Sequence, residues 1–147
     1  MLLLNIGPKA DGTITDEETK VLLDMGKWLS VNGDGIYGTT FYSVFGEGEV
    51  NNEAGFFKDG DEKQFTEKDF RFTFKDCSVY AFQMRPKGKE IRIKTFRRLK
   101  EHDLLIENIE LLGGEIEKFE RTEEALVVTL KEERKDDLPL CLKIDIG

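Results

Sequence analysis

Phe70-Arg71-Phe72-Thr73-Phe74-Lys75-Asp76-Cys77-Ser78-Val79-Tyr80-Ala81-Phe82-Gln83-Met84 places large side chains at every second position on either side of the polar tetrad 75–78. Successive side chains of a strand point to opposite faces, so this period of two predicts a strand, a turn and a second strand. The same period recurs towards the C-terminus. Ile91 and Ile93, Ile109 and Leu111, Ile116 to Phe119, and Leu126, Val128 and Leu130 are the apolar phases of short segments, separated by Lys87-Gly88-Lys89, Gly113-Gly114 and the polar run 132–137. In the last segment Leu138, Leu140, Leu142, Ile144 and Ile146 alternate with Pro139, Cys141, Lys143 and Asp145. Six or seven short strands at roughly ten-residue spacing predict a mainly β fold, an antiparallel β-sandwich with one buried and one wet face per sheet. It is expected to occupy residues 40–147, with a polar surface loop at about 51–63.

The first 39 residues read differently. Leu2-Leu3-Leu4-Asn5-Ile6 is apolar without alternation and is closed by Gly7-Pro8, which suits a strand buried on both faces, as in a parallel sheet. Lys9-Ala10-Asp11-Gly12 is turn chemistry, and Thr15 with Glu18 forms a capping box. A helix is therefore expected over 15–32, with Val21, Leu22, Met25, Trp28 and Leu29 on one face and Asn32-Gly33 as its stop. No internal repeat is visible.

The 147 residues carry 22 Lys and Arg against 30 Asp and Glu, a net charge of −8, with 39% apolar residues. That length suits one domain, or a small domain with an appendage. The longest apolar runs fall far below the roughly 18 residues a spanning helix needs, and no basic segment precedes the leucines. Neither a membrane span nor an intact signal peptide is expected. With the basic residues read as dispersed, no positive face is expected, so nucleic acid is not expected as a partner.

Local motifs add little chemistry. Gly7-Pro8-Lys9-Ala10-Asp11-Gly12-Thr13 has the glycine spacing of a phosphate loop but Thr where the lysine is required. Asp59-Gly60-Asp61-Glu62 begins like a calcium loop, yet Gln64 and Phe70 stand where Gly and Glu are needed. His102 has no second His or nearby thiol, and Cys77 and Cys141, 64 positions apart, form no local zinc pair. Glu47 and Glu49 lie in a Gly-rich turn, but nothing places either in an apolar pocket that would raise its pKa. Trp28 could stack on a sugar, but its position on the apolar stripe makes it a packing residue. No metal site is expected.

The stretch Leu2-Leu3-Leu4-Asn5-Ile6-Gly7-Pro8-Lys9-Ala10-Asp11-Gly12-Thr13-Ile14, the helix ending at Trp28-Leu29 and then Asn32-Gly33-Asp34-Gly35-Ile36-Tyr37-Gly38-Thr39 resemble the end of the catalytic domain of the α-L-fucosidases of glycoside hydrolase family 29. Phe65-Thr66-Glu67-Lys68-Asp69-Phe70-Arg71-Phe72-Thr73 and Val79-Tyr80-Ala81-Phe82 are similar to the start of that family's C-terminal β-sandwich. Residues 88–147 match only in strand pattern.

The resemblance implies a C-terminal portion: residues 1–39 as the last β/α unit of a (β/α)8-like barrel, and 40–147 as the accessory sandwich. It further implies a parent that hydrolyses terminal α-L-fucosides with retention through two carboxylates about 5 Å apart, without metal or organic cofactor. Both carboxylates belong to upstream segments, so no catalytic residue is assigned and this chain alone is expected to be inactive and to brace the barrel. Met1 is then expected to be an artificial start. Asn5, Gly7 and Lys9 would shape a loop at the barrel mouth, and Tyr37, Phe41 and Tyr42 are candidates for an aromatic sugar-binding patch. The implied partners are the catalytic barrel and, through the parent, fucosylated glycans. Unpaired residues 2–6 are expected to fray, self-associate or dock on the sandwich. The parent is expected to be secreted, periplasmic or lysosomal. The alternative is a stand-alone carbohydrate-binding or interaction module.

Overall fold

Helix α1 spans Asp16–Asn32 and begins with the expected capping box. Glu18 N donates to Thr15 Oγ1 at 3.1 Å, and Thr15 N donates back to a Glu18 carboxylate oxygen at 3.3 Å. These bonds occupy donors that the first turn cannot satisfy internally, and Asp16, Glu17 and Glu18 face the positive end of the helix dipole. The chain leaves the helix through a 3-10 turn, Gly33–Gly35. The computed structural model describes residues 5–50, 64–101 and 103–147.

Among the described residues eight strands follow: β1 Thr40–Glu47, β2 Phe70–Lys75, β3 Ser78–Gln83, β4 Glu90–Ile93, β5 Ile106–Leu111, β6 Ile116–Arg121, β7 Leu126–Leu130 and β8 Leu140–Ile146. They form a five-stranded sheet in the order β1-β2-β3-β8-β5 and a three-stranded sheet in the order β4-β7-β6, antiparallel throughout. The β2–β3 hairpin has Lys75 opposite Ser78, so its loop is only Asp76 and Cys77, with φ of 50° and 62°. Two left-handed residues match the right-handed strand twist, although neither is the glycine that adopts this conformation most easily.

The inner faces meet in one core. Phe70, Phe72, Val79, Ala81, Leu140, Leu142 and Ile144 of the larger sheet pack with Ile91, Ile93, Leu126, Val128 and Leu130 of the smaller, and Phe96 plugs one side. The two-residue period picked out Phe70, Phe72, Ile91, Ile93, Leu126, Val128, Leu130, Leu140, Leu142 and Ile144, but on β3 the core takes the smaller phase, Val79 and Ala81, while Tyr80 and Phe82 face the other side.

Three features differ from the sequence reading. First, β1 is a strand that the two-residue period did not mark; Phe41, Tyr42, Val44 and Phe45 do not alternate cleanly, and the pairing with β2 slips between Phe41 and Gly46. The irregular register erases the periodic signal. Second, the outer face of the larger sheet is not wet throughout: Tyr80, Phe82 and Cys141 are buried in a second cluster with Trp28, Met84 and Leu112. Alternation therefore disappears along β3, where all six residues are buried. Third, of the expected strand at 2–6, Asn5 and Ile6 lie outside any strand and are exposed, since no described strand pairs with them. Its first three residues, the loop at 51–63, the stretch 59–62 and His102 lie outside the described residues.

Candidate functional site

The junction between α1 and the sandwich holds the most developed side-chain constellation. The 3-10 turn lays Gly35 on the outer face of the larger sheet. A Cβ there would lie 2.7 Å from Phe82 Cζ and 3.0 Å from both Cys141 Sγ and Tyr80 Cδ1, so only a glycine backbone fits without displacing a ring. Thr73 Oγ1 donates to the Gly35 carbonyl at 2.6 Å, and Trp28 Nε1 donates to the Pro139 carbonyl at 2.7 Å. The indole ring sits 6.1 Å from Phe82.

Asp34 is the polar centre of this junction. Its carboxylate accepts from Tyr80 Oη at 2.6 Å and pairs with Lys75 Nζ, which also donates to the Asp34 carbonyl at 2.9 Å. The Lys75 and Tyr80 hydrogen bonds hold the Asp34 carboxyl below its ordinary range, while burial and the neighbouring carboxylate push the Tyr80 phenol up. Burial likewise pushes the Cys141 thiol up. An ionised carboxylate, a protonated phenol and a protonated thiol make a latch rather than an acid/base or nucleophilic centre. Among the described residues, no group of three or more His, Cys, Asp or Glu is arranged to hold a metal ion.

The sequence-derived candidates do not converge. Asn5, Gly7 and Lys9 are all exposed. Gly7 N donates to Glu18 Oε1 at 3.1 Å, and Lys9 N donates to the Thr13 carbonyl at 2.7 Å, which folds this loop over the start of α1. The aromatic trio separates. Phe41 is 84% exposed, Tyr37 is exposed with its ring close over Gly33, and Tyr42 turns inward against Phe72, Phe74 and Phe96. Tyr42 therefore leaves the expected patch, because the Phe side chains of β2 and Phe96 offer it apolar neighbours. Glu47 accepts from Lys94 N and Thr95 N at 2.8 and 2.6 Å, and Glu49 pairs with Lys68 at 3.5 Å, so both serve packing and surface contacts.

Two surface features escaped the sequence reading. Val21, Leu23 and Met25 on α1, Ile36 and Tyr37 after it, and Phe41, Val44 and Phe45 on β1 are large apolar residues facing solvent. Apolar residues at helical spacing do not reveal which molecule they face. Separately, eight of the 22 Lys and Arg lie within residues 85–100, together with a single acid, Glu90. A running charge count would have found that cluster.

Helix α1 packs Trp28 on the sandwich but leaves Val21, Leu23 and Met25 in solvent, and the proteins this arrangement is similar to are α-L-fucosidases. The family profile described as Alpha-L-fucosidase matches residues 1–34. An α-L-fucosidase of Branchiostoma floridae is 58% identical over 38 residues, 26% of this chain and 8% of its own length. The tissue α-L-fucosidase of Rattus norvegicus is 35% identical over 79 residues, 54% of this chain and 13% of its own. Among solved structures, the α-fucosidase of Thermotoga maritima is 26% identical with a TM-score of 0.66, covering 97% of this chain and 30% of that protein. Isoenzyme 1 of the α-L-fucosidase of Paenibacillus thiaminolyticus, 21% identical with a TM-score of 0.66 over 99% of this chain and 30% of its own, shares the fold. The chain resembles the C-terminal portion of an α-L-fucosidase. It spans about 30% of the solved relatives, and its matched segments span 8 to 9% of the first curated ones.

Proposed function

We propose that this chain is the C-terminal part of a retaining α-L-fucosidase in which residues 1–39 complete a catalytic barrel and residues 40–147 brace it. The observation that carries this reading is a coincidence of position. The segment matching the fucosidase family, residues 1–34, contains the helix whose Val21, Leu23 and Met25 face solvent here. Large apolar side chains in contact with water are unfavourable by roughly 1.5–3 kcal/mol each relative to burial, and a barrel packed around the helix would cover Val21 and Met25, four residues apart on one side, and Leu23 on another. In this reading the chemistry lies outside the chain: two carboxylates about 5 Å apart in the barrel form and hydrolyse a glycosyl-enzyme intermediate. Asp34, ionised and tied to Tyr80 and Lys75, holds the barrel's last helix to the sandwich.

Hydrolysis of 4-nitrophenyl α-L-fucoside tests it. The purified chain is expected to release no fucose. Co-expressed with the barrel portion of a related fucosidase that lacks its own C-terminal part, it is expected to form a stable complex and restore turnover. Fucose release by the chain alone, above that of a mock purification, would overturn the reading.

A second reading, a stand-alone carbohydrate-binding module, draws on the exposed ring of Phe41. Saturable binding of neutral fucosylated oligosaccharides by the isolated chain, lost in Phe41→Ala, would favour it.

A further inference from the structure

The basic cluster at 85–100 forms a built surface on one edge of the smaller sheet. Arg85, Lys87, Lys89, Arg92, Lys94, Arg97, Arg98 and Lys100 are all exposed, while Ile91, Ile93 and Phe96 between them are buried. Alternation in edge strand β4 thus turns the charges outward. The loop after β4 is fixed from beneath by Arg121, whose side chain is only 12% exposed. Arg121 donates to the carbonyls of Phe96, Arg97 and Leu104 at 3.0, 3.0 and 2.6 Å, and its two Nη groups straddle the Asp103 carboxylate at 2.6 and 3.2 Å. Arg98 N donates to the Thr122 carbonyl at 2.7 Å. The backbone of Arg97 and Arg98 is therefore anchored while their side chains reach solvent.

Partners divide this cluster. Arg92 pairs with Glu90 and Glu124, and Arg85 with Asp137. Lys94, Arg97, Arg98 and Lys100 make no salt bridge to a described carboxylate; Arg97 reaches only the Lys94 carbonyl, at 3.4 Å. Exposed Glu101 directly follows Lys100 and makes no salt bridge to a described residue, and Asp103 is held by Arg121. Four cations in seven residues, held on a fixed loop without an ion pair among the described residues, outnumber the two carboxylates beside them, Glu47 on the Lys94 and Thr95 N–H groups and Glu101, and offer bidentate and point-charge donors to an anion.

We infer that this edge binds a short acidic oligosaccharide, with Arg97, Arg98 and Lys100 pairing with its sulfate or carboxylate groups. The choice of a carbohydrate rests on the fucosidase reading; the choice of a short anion rests on charge. The other 131 residues carry 29 acids and 14 bases. Charges act over about 8 Å at physiological salt, so a nucleic acid duplex or a flat anionic membrane would also meet that acidic surface, whereas a few sugars need meet only the basic loop. In the parent enzyme, this edge would favour fucosylated glycans that also carry acidic groups.

Calorimetric titration of the full 147-residue chain with a sulfated heparin tetrasaccharide tests the inference. Binding is expected at about 0.15 M salt and is expected to weaken steeply as salt rises. The variant Arg97→Glu/Arg98→Glu/Lys100→Glu should bind at least about tenfold more weakly, with an unchanged far-ultraviolet spectrum. A charge-matched control, Lys118→Glu/Lys135→Glu/Lys143→Glu, should bind within about threefold of the parent chain after correction for net charge. No binding by the unaltered chain, equal loss in both variants, or tighter binding to phosphatidylserine vesicles than to the tetrasaccharide would overturn it. Hydrolysis of the neutral fucoside by the complemented enzyme is read separately, so failure here leaves the fucosidase reading standing, and the reverse holds too.

Discussion

Tyr80 Oη donates a 2.6 Å hydrogen bond to Asp34 Oδ2, joining a fully buried residue of the central strand β3 to the turn that ends helix α1. With Trp28 on the Pro139 carbonyl and Thr73 on the Gly35 carbonyl, it forms the polar part of the attachment between helix and sandwich. Tyr80→Phe keeps the ring and removes this bond. The expected cost is about 1–2 kcal/mol, since one charge-assisted bond is lost while Asp34 keeps Lys75 and water. Urea unfolding followed by Trp28 fluorescence measures it; a midpoint identical to that of the unaltered chain would refute the latch.

Gly35→Ala tests the same contact from the other side. The added methyl would meet Phe82 Cζ at 2.7 Å, and the ring sits in a packed cluster with little room to yield. Overpacking of this kind costs typically about 1–3 kcal/mol. The expected result is a lower thermal midpoint and a red-shifted Trp28 emission as the helix lifts.

Acid should act through Asp69. This carboxylate is buried, and burial opposes its charge most strongly. The N–H groups of Val50 and Thr66, the Thr66 hydroxyl and the Glu49 N–H nevertheless outweigh that effect and hold it below the ordinary range. A lowered native pKa means that the unfolded chain binds its proton first as pH falls. The stabilisation is therefore complete above the unfolded value of about 3.9 and is lost as pH drops through the native value. Asp69→Asn should lower stability at pH 7 and flatten this acid-side slope. A slope in the variant equal to that of the unaltered chain, measured by urea titration from pH 6 to the acid limit, would sink the assignment.

The two thiols should separate cleanly under a thiol reagent. Cys77 is exposed in the hairpin turn, whereas Cys141 is fully buried beneath Gly35, and burial pushes its thiol pKa up. One equivalent should react at once in native buffer, and the second at a rate that rises with urea as unfolding exposes it. Mass spectrometry identifies which is which; rapid native labelling of Cys141 would mean that the helix does not stay seated.

Local order was legible without coordinates wherever one short-range rule operated. Thr15 and Glu18 announced the helix start because a capping box needs only residues three apart, and the alternating residues of β2 and β8 announced strands because the pleat imposes a period of two. Arrangement across distance was not legible. Strand β1 hid behind a register slip, Tyr42 turned from an expected surface patch into the core, and Cys141, on the polar phase of β8, became one of the most buried residues when Gly35 and Trp28 closed over it. Periodicity records which side of a strand a residue occupies, but whether that side meets water or another segment depends on contacts between residues more than a hundred positions apart, as Trp28 and Pro139 are.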